Sequence, residues 1–95
     1  MNPPCPADDI APFLAALDML PEGYGEGSFA GRRWGVTLNG SPDRQRRWLF
    51  GEELGGGDHV SFNLYALAGG PALRPCEMPV DKVVRFVLGY VPDAA

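Results

Sequence analysis

Residues 46–67 read RRWLFGEELGGGDHVSFNLYAL, two runs of alternating apolar and polar side chains divided by consecutive glycines. Alternation with period two places successive side chains on opposite faces of a strand, and glycines between two such runs mark a turn. The segment therefore predicts an antiparallel hairpin. Upstream, Trp34, Val36 and Leu38 alternate with Arg33, Gly35 and Thr37, and the turn-forming run NGSPD joins that strand to the hairpin. Downstream, AGGP punctuates again and ALRPC supplies a short fourth strand. Turns centred near Pro42, Gly56 and Gly70 set Trp34 opposite Phe50, Val36 opposite Trp48, Phe50 opposite Phe62 and Trp48 opposite Leu64, with the aromatics on one side. The same centres place Cys76 opposite Leu64.

Helical periodicity flanks this meander. Ile10, Phe13, Leu14, Leu17 and Leu20 form one apolar face, Asp8 or Asp9 can cap it, Pro12 is placed in the first turn, and Pro21 with Gly23 ends it. PEGYGEG reads as a glycine-rich link. Near the end, Val80, Val83, Val84, Val87, Leu88 and Val91 fit a helical stripe that starts at Pro79, with Asp81 in its first turn. The expectation is an α+β fold of two layers, α-β-β-β-β-α, an antiparallel meander sheet with two helices on one face.

Ninety-five residues with 45% hydrophobic content and 11% aromatics make one core, and a chain of this size buries roughly 60–65% of its unfolded surface. The glycines and prolines fall mostly at element boundaries. The exception, MNPPCPA at residues 1–7, reads as a flexible tail ahead of a single domain over 8–95. A net charge of −4 argues against binding to nucleic acid or to an anionic membrane, both of which need a clustered positive field. The longest apolar run, VVRFVLGYV, is interrupted by Arg85 and too short to span a bilayer, so a cytoplasmic protein with both cysteines reduced is expected. Monomer and homodimer, through the sheet face or an edge, both remain open.

Cys76 precedes the closing helix. A thiol there is either an activated nucleophile or a small apolar plug between sheet and helix, and the plug is the commoner use of a free cysteine. His59, the one histidine, falls roughly 16 Å along the strand from the expected position of Cys76. It reads as a loop or edge residue. No further His or Cys stands at metal-ligand spacing, and no cofactor is expected. Glu52 and Glu53 are adjacent, so a strand turns them to opposite faces and they make a poor acid/base pair. GEELGGGDH lacks the lysine and following helix of a phosphate loop, and Asn39-Gly40-Ser41 is a turn. The richest constellation is the sheet face away from the aromatics: Arg33, Thr37, Arg47, Ser61, Asn63 and Tyr65. Arg33 and Arg47 would act as bidentate donors, with Asn63 beside them and Tyr65 as a stacking surface for an anionic small molecule. Arg32, Arg44 and Arg46 add positive charge to the first hairpin.

GRRWGVTL, EELGGGDHVSFNLY and LRPCEMPVDKVVRFVLG together resemble a family of short, mostly uncharacterised bacterial proteins that share EELGG, then S-x-N-x-Y, then PCEMP before a closing helix. The resemblance covers roughly residues 22 to 91. Some members carry the label of peptide methionine sulfoxide reductase, which would imply a catalytic cysteine, here Cys76. The chain lacks a GCFW-type nucleophile motif and paired CxxC motifs. The expected function is thus a binding or interaction module, more a non-enzyme than an enzyme, for an anionic ligand, a nucleotide or a protein partner. The alternative is a thiol redox protein using Cys76.

Overall fold

The computed structural model describes residues 7–93. Helix α1 spans Ala7–Asp18 and leads into strands β1 (Gly23–Phe29), β2 (Arg32–Gly40), β3 (Arg46–Glu53), β4 (His59–Leu67) and β5 (Gly70–Pro75). Helix α2 (Val80–Gly89) and a short strand β6 (Val91–Pro92) follow. The strands form one antiparallel sheet in the order β5-β4-β3-β2-β1-β6, and the helices pack on one of its faces. The two-layer α+β expectation holds, with a longer meander and one added strand. The expected tail falls largely outside the described residues, as do the side chains of Asp8 and Asp9; α1 already includes Ala7, so Pro12 lies inside the helix rather than in its first turn.

Two strands are unexpected, β1 and the short β6. Gly23, Gly25 and Gly27 alternate with Tyr24, Glu26 and Ser28, and the glycines lie on the helix side, opposite Leu38, Val36 and Trp34. A Cβ on Gly27 would meet the Val91 carbonyl oxygen and the Tyr90 ring, so the strand needs glycine where the chain end crosses it. The β1–β2 connection is a two-residue turn, Ala30-Gly31, with φ of 54° and 77°. Both angles positive is the twist that matches a right-handed hairpin.

The core gathers Trp34, Val36, Leu38, Leu49, Val60, Phe62, Leu64 and Leu73 from the sheet, Phe13 and Leu17 from α1, and Val83, Val84, Phe86 and Val87 from α2. Phe13 meets Phe62 at 5.5 Å between centroids. Phe86 lies 4.9 Å from Phe29, 4.8 Å from Trp34 and 5.2 Å from Tyr90. The α2 stripe differs from expectation at three positions: Phe86 carries the contact, whereas Leu88 and Val91 point outward. The helix then stops as the Tyr90 N–H closes on the Phe86 carbonyl, and extended backbone at Tyr90 releases the chain into β6.

The cross-strand register departs from the expected one. Trp34 lies opposite Glu53, Val36 opposite Gly51, Thr37 opposite Phe50 and Asn39 opposite Trp48. The β2–β3 connection holds Ser41 to Gln45 and centres beyond Pro42, because Arg44 takes a positive φ of 62° and the Ser41 N–H closes on the Arg46 carbonyl. The β3–β4 turn shifts as well, setting Phe50 opposite Ser61. A displacement by an odd number of residues moves a side chain to the other face. Trp48 and Phe50 therefore leave the core side, and Leu49 and Gly51 take it.

Candidate functional site

The face away from the helices is built by this register. Tyr24, Thr37, Phe50 and Ser61 form one row across β1 to β4, and Asn39, Trp48, Asn63 and Arg74 form the next across β2 to β5. Arg46 begins a further row beside Tyr65, and Glu52 with His59 lies on the other side of the Phe50 row. Tyr24 is 63% exposed and Phe50 47%. The Arg46 guanidinium lies 4.4 Å above the Trp48 ring, and its Nε and Nη2 donate to Asn63 Oδ1 at 3.2 and 3.1 Å. An arginine over an indole face gains a cation–π attraction.

Of the expected ligand residues, Asn63 and Tyr65 lie on this face together, but Arg33 and Arg47 do not form a pair. Arg33 is on the open side and clamps the chain end: Nη1 and Nη2 donate to Asp93 Oδ1 and Oδ2 at 3.0 and 2.6 Å, and Nη1 also donates to Ser28 Oγ. That contact holds the Asp93 carboxyl below its usual range and raises the guanidinium further. Arg47 points to the helix side, where Nη1 lies 2.6 Å from Asp18 Oδ1 at the end of α1. It is mostly covered, at 16% side-chain exposure, and lines with Leu14, Leu64 and Leu67 a cleft of about 270 Å³. The relocated turn after Ser41 is the reason. It exchanges Arg47 for Arg46 on the open face.

Cys76 is not a plug. It is exposed, its N–H donates to the Ser61 carbonyl at 2.9 Å, and its Sγ lies 4.0 Å from Asn63 Nδ2. The two-residue β4–β5 turn, with Leu67 opposite Gly70, sets it beside Ser61 instead of Leu64. His59 is then two residues along β4 from Ser61, about 7 Å along the strand. Cys5 lies outside the described residues. An exposed thiol should alkylate in the folded Cys5→Ser variant at a rate close to that of the unfolded chain at the same pH. Intact mass against time checks this, and protection until global unfolding would contradict the exposure.

Charge distribution singles out part of the open face. The chain has eight lysines and arginines. Arg32, Arg33, Arg44, Arg47, Lys82 and Arg85 each pair with a carboxylate. Arg46 and Arg74 have no carboxylate partner among the described residues. Both lie on the open face, in the rows of Trp48 and Tyr65. Elsewhere the pairs do structural work: Lys82 Nζ donates to Asp58 Oδ1 at 2.7 Å, tying the β3–β4 turn to α2 and lowering the Asp58 pKa. Glu53 turns away from Glu52, accepts from Arg32 Nη1 at 2.6 Å and fills the space beside Gly56.

Sequence reasoning missed Trp48, Phe50, Arg46 and Arg74 as members of this surface. The signal is loop length: the Ser41–Gln45 connection sets the face of Arg46, Trp48 and Phe50, and the two-residue turn between Leu67 and Gly70 sets that of Arg74. Among the described residues no group of three or more His, Cys, Asp or Glu side chains is placed to hold a metal ion, and no helix is long and apolar enough to cross a membrane. Comparison with protein-family models, with curated proteins and with solved structures finds no match.

Proposed function

We propose that the protein is an interaction module that docks a protein partner on its open sheet face around Trp48. The observation that supports this reading is the pair Arg46 and Arg74 beside Trp48 and Tyr65, which among the described residues have no carboxylate partner while every other lysine and arginine has one. Trp, Tyr and Arg are the residues that most often carry binding energy at protein interfaces. A partner presenting carboxylates to the two guanidinium groups, and an apolar side chain to Trp48 and Phe50, would complete both the charge and the apolar surface. The molecule measures 38 × 35 × 21 Å, a slab whose broad side exceeds the roughly 800 Å² per partner of an ordinary interface.

The test is to pan a random peptide display library on the immobilised chain. Selected peptides should be rich in Asp and Glu and should lose about tenfold or more in affinity on Trp48→Ala or Arg74→Glu. Selection indifferent to both substitutions overturns the reading. In parallel, ATP can be titrated against the fluorescence of Trp48 in a Trp34→Phe variant. Saturable quenching that is lost in Arg74→Glu would replace the protein partner with a nucleotide.

A further inference from the structure

The open face carries a charge that could satisfy Arg46, and it belongs to the chain itself. Glu52 has no cationic partner among the described residues and lies on β3, on the same face as Trp48, with Phe50 between them. Trp48 precedes the Phe50 row by two residues, and Glu52 follows it by two. The Arg46 guanidinium is folded over Trp48, so the cation occupies the Trp48 row rather than its own. An unpaired cation and an unpaired anion thus flank one exposed aromatic symmetrically, on a central strand of the sheet.

We infer that the docking partner is a second copy of this chain, packed face to face about a two-fold axis along the Tyr24–Thr37–Phe50–Ser61 row. This rests on the reading of the open face as the docking surface. A half-turn about that row lays each strand over its counterpart, running in the opposite sense. It sets the Trp48 row of one copy over the Glu52 row of the other. Arg46 then meets Glu52 twice by symmetry, Phe50 of each copy packs on Phe50 of the other, and Tyr24 comes over Tyr24. Such an interface is isologous: the patch complements itself and assembly closes at the dimer. Sheets packing face to face keep their strands within about 30° of alignment, an angle that Phe50 near the axis tolerates and that the long Arg46 side chain can follow. The sheet rims are poor alternatives, since β5 carries Pro71 and Pro75 and β6 carries Pro92.

Light scattering on the full chain, from micromolar to millimolar concentration, provides the test. The wild type should form a dimer, and Phe50→Glu should be monomeric throughout. Arg46→Glu and Glu52→Arg should each raise the dimer dissociation constant about tenfold or more, because each replaces two attractions with two repulsions. Both substitutions on one chain should restore the dimer, an outcome that a folding defect would not give. A wild type monomeric at every concentration overturns the inference, as does a dimer that survives Phe50→Glu. If that monomer still selects acidic peptides through Trp48, only self-docking fails. If its peptides ignore Trp48, the interaction reading fails with it.

Discussion

Phe86→Ala is expected to destabilise the fold by about 3–5 kcal/mol, a large share of the roughly 5–15 kcal/mol that separates a domain from its unfolded chain. Phe86 is 1% exposed and is the one aromatic that α2 lays on the sheet, meeting Phe29, Trp34 and Tyr90 together. Beneath it lies Gly51, where a Cβ would be 3.7 Å from the ring tip, so the position directly below offers no side chain and only the short Val36 and Val60 flank the vacated volume. The neighbours that could move in are themselves held: Tyr90 is fixed by the start of β6, and Trp34 is packed in the core at 2% exposure. The check is a fall in the urea midpoint at unchanged slope. A midpoint close to that of the wild type would mean that α2 is seated by its valines instead.

Gly27→Ala is the second large effect, expected at about 3 kcal/mol, the upper range for overpacking. The new Cβ would come within 2.6 Å of Tyr90 ring atoms and closer still to the Val91 carbonyl oxygen. A backbone carbonyl cannot rotate away as a side-chain tip does. The substitution therefore forces β6 off β1 and the Tyr90 ring out of the core. Gly25→Ala is the matched control on the same strand and face: nothing lies within 4 Å of its Cβ position, and alanine narrows the unfolded ensemble, so stability should hold or rise by up to about 1 kcal/mol. Thermal unfolding of the two variants side by side should separate them widely. Equal midpoints would remove the β6 crossing as the reason for glycine at position 27.

These two glycines also show where the sequence was legible. Alternation in Trp34-Val36-Leu38 and Val60-Phe62-Leu64 is a local property carried by apolar side chains, and it identifies strand and face correctly. β1 alternates just as strictly, but its core-facing positions are Gly23, Gly25 and Gly27, and at Gly27 Tyr90 and the Val91 carbonyl take the space a side chain would fill. A pattern search that counts apolar residues sees a linker. Register is harder again, since it depends on how many residues a loop consumes. Arg44 in a left-handed conformation lengthens the β2–β3 connection, and that displacement sends Trp48 and Phe50 outward while turning Arg47 toward Asp18. Of the four candidate ligand residues, Arg33, Asn63 and Tyr65 fall on the open face that alternation along β2 and β4 assigns them, whereas the face of Arg47 depends on the turn.

The Arg33–Asp93 clamp, between residues sixty apart in sequence, has a consequence for the order of assembly. Every other pairing in the sheet joins neighbouring strands through a short turn, so each hairpin can zip from its own loop. Joining β6 to β1 closes nearly the whole meander, an entropic cost on the order of 3–4 kcal/mol for a flexible chain of that length. Two residues of ladder cannot meet that cost unaided. β6 must wait until α2 is seated and delivers it, which makes the clasp the last contact to form and the first to open.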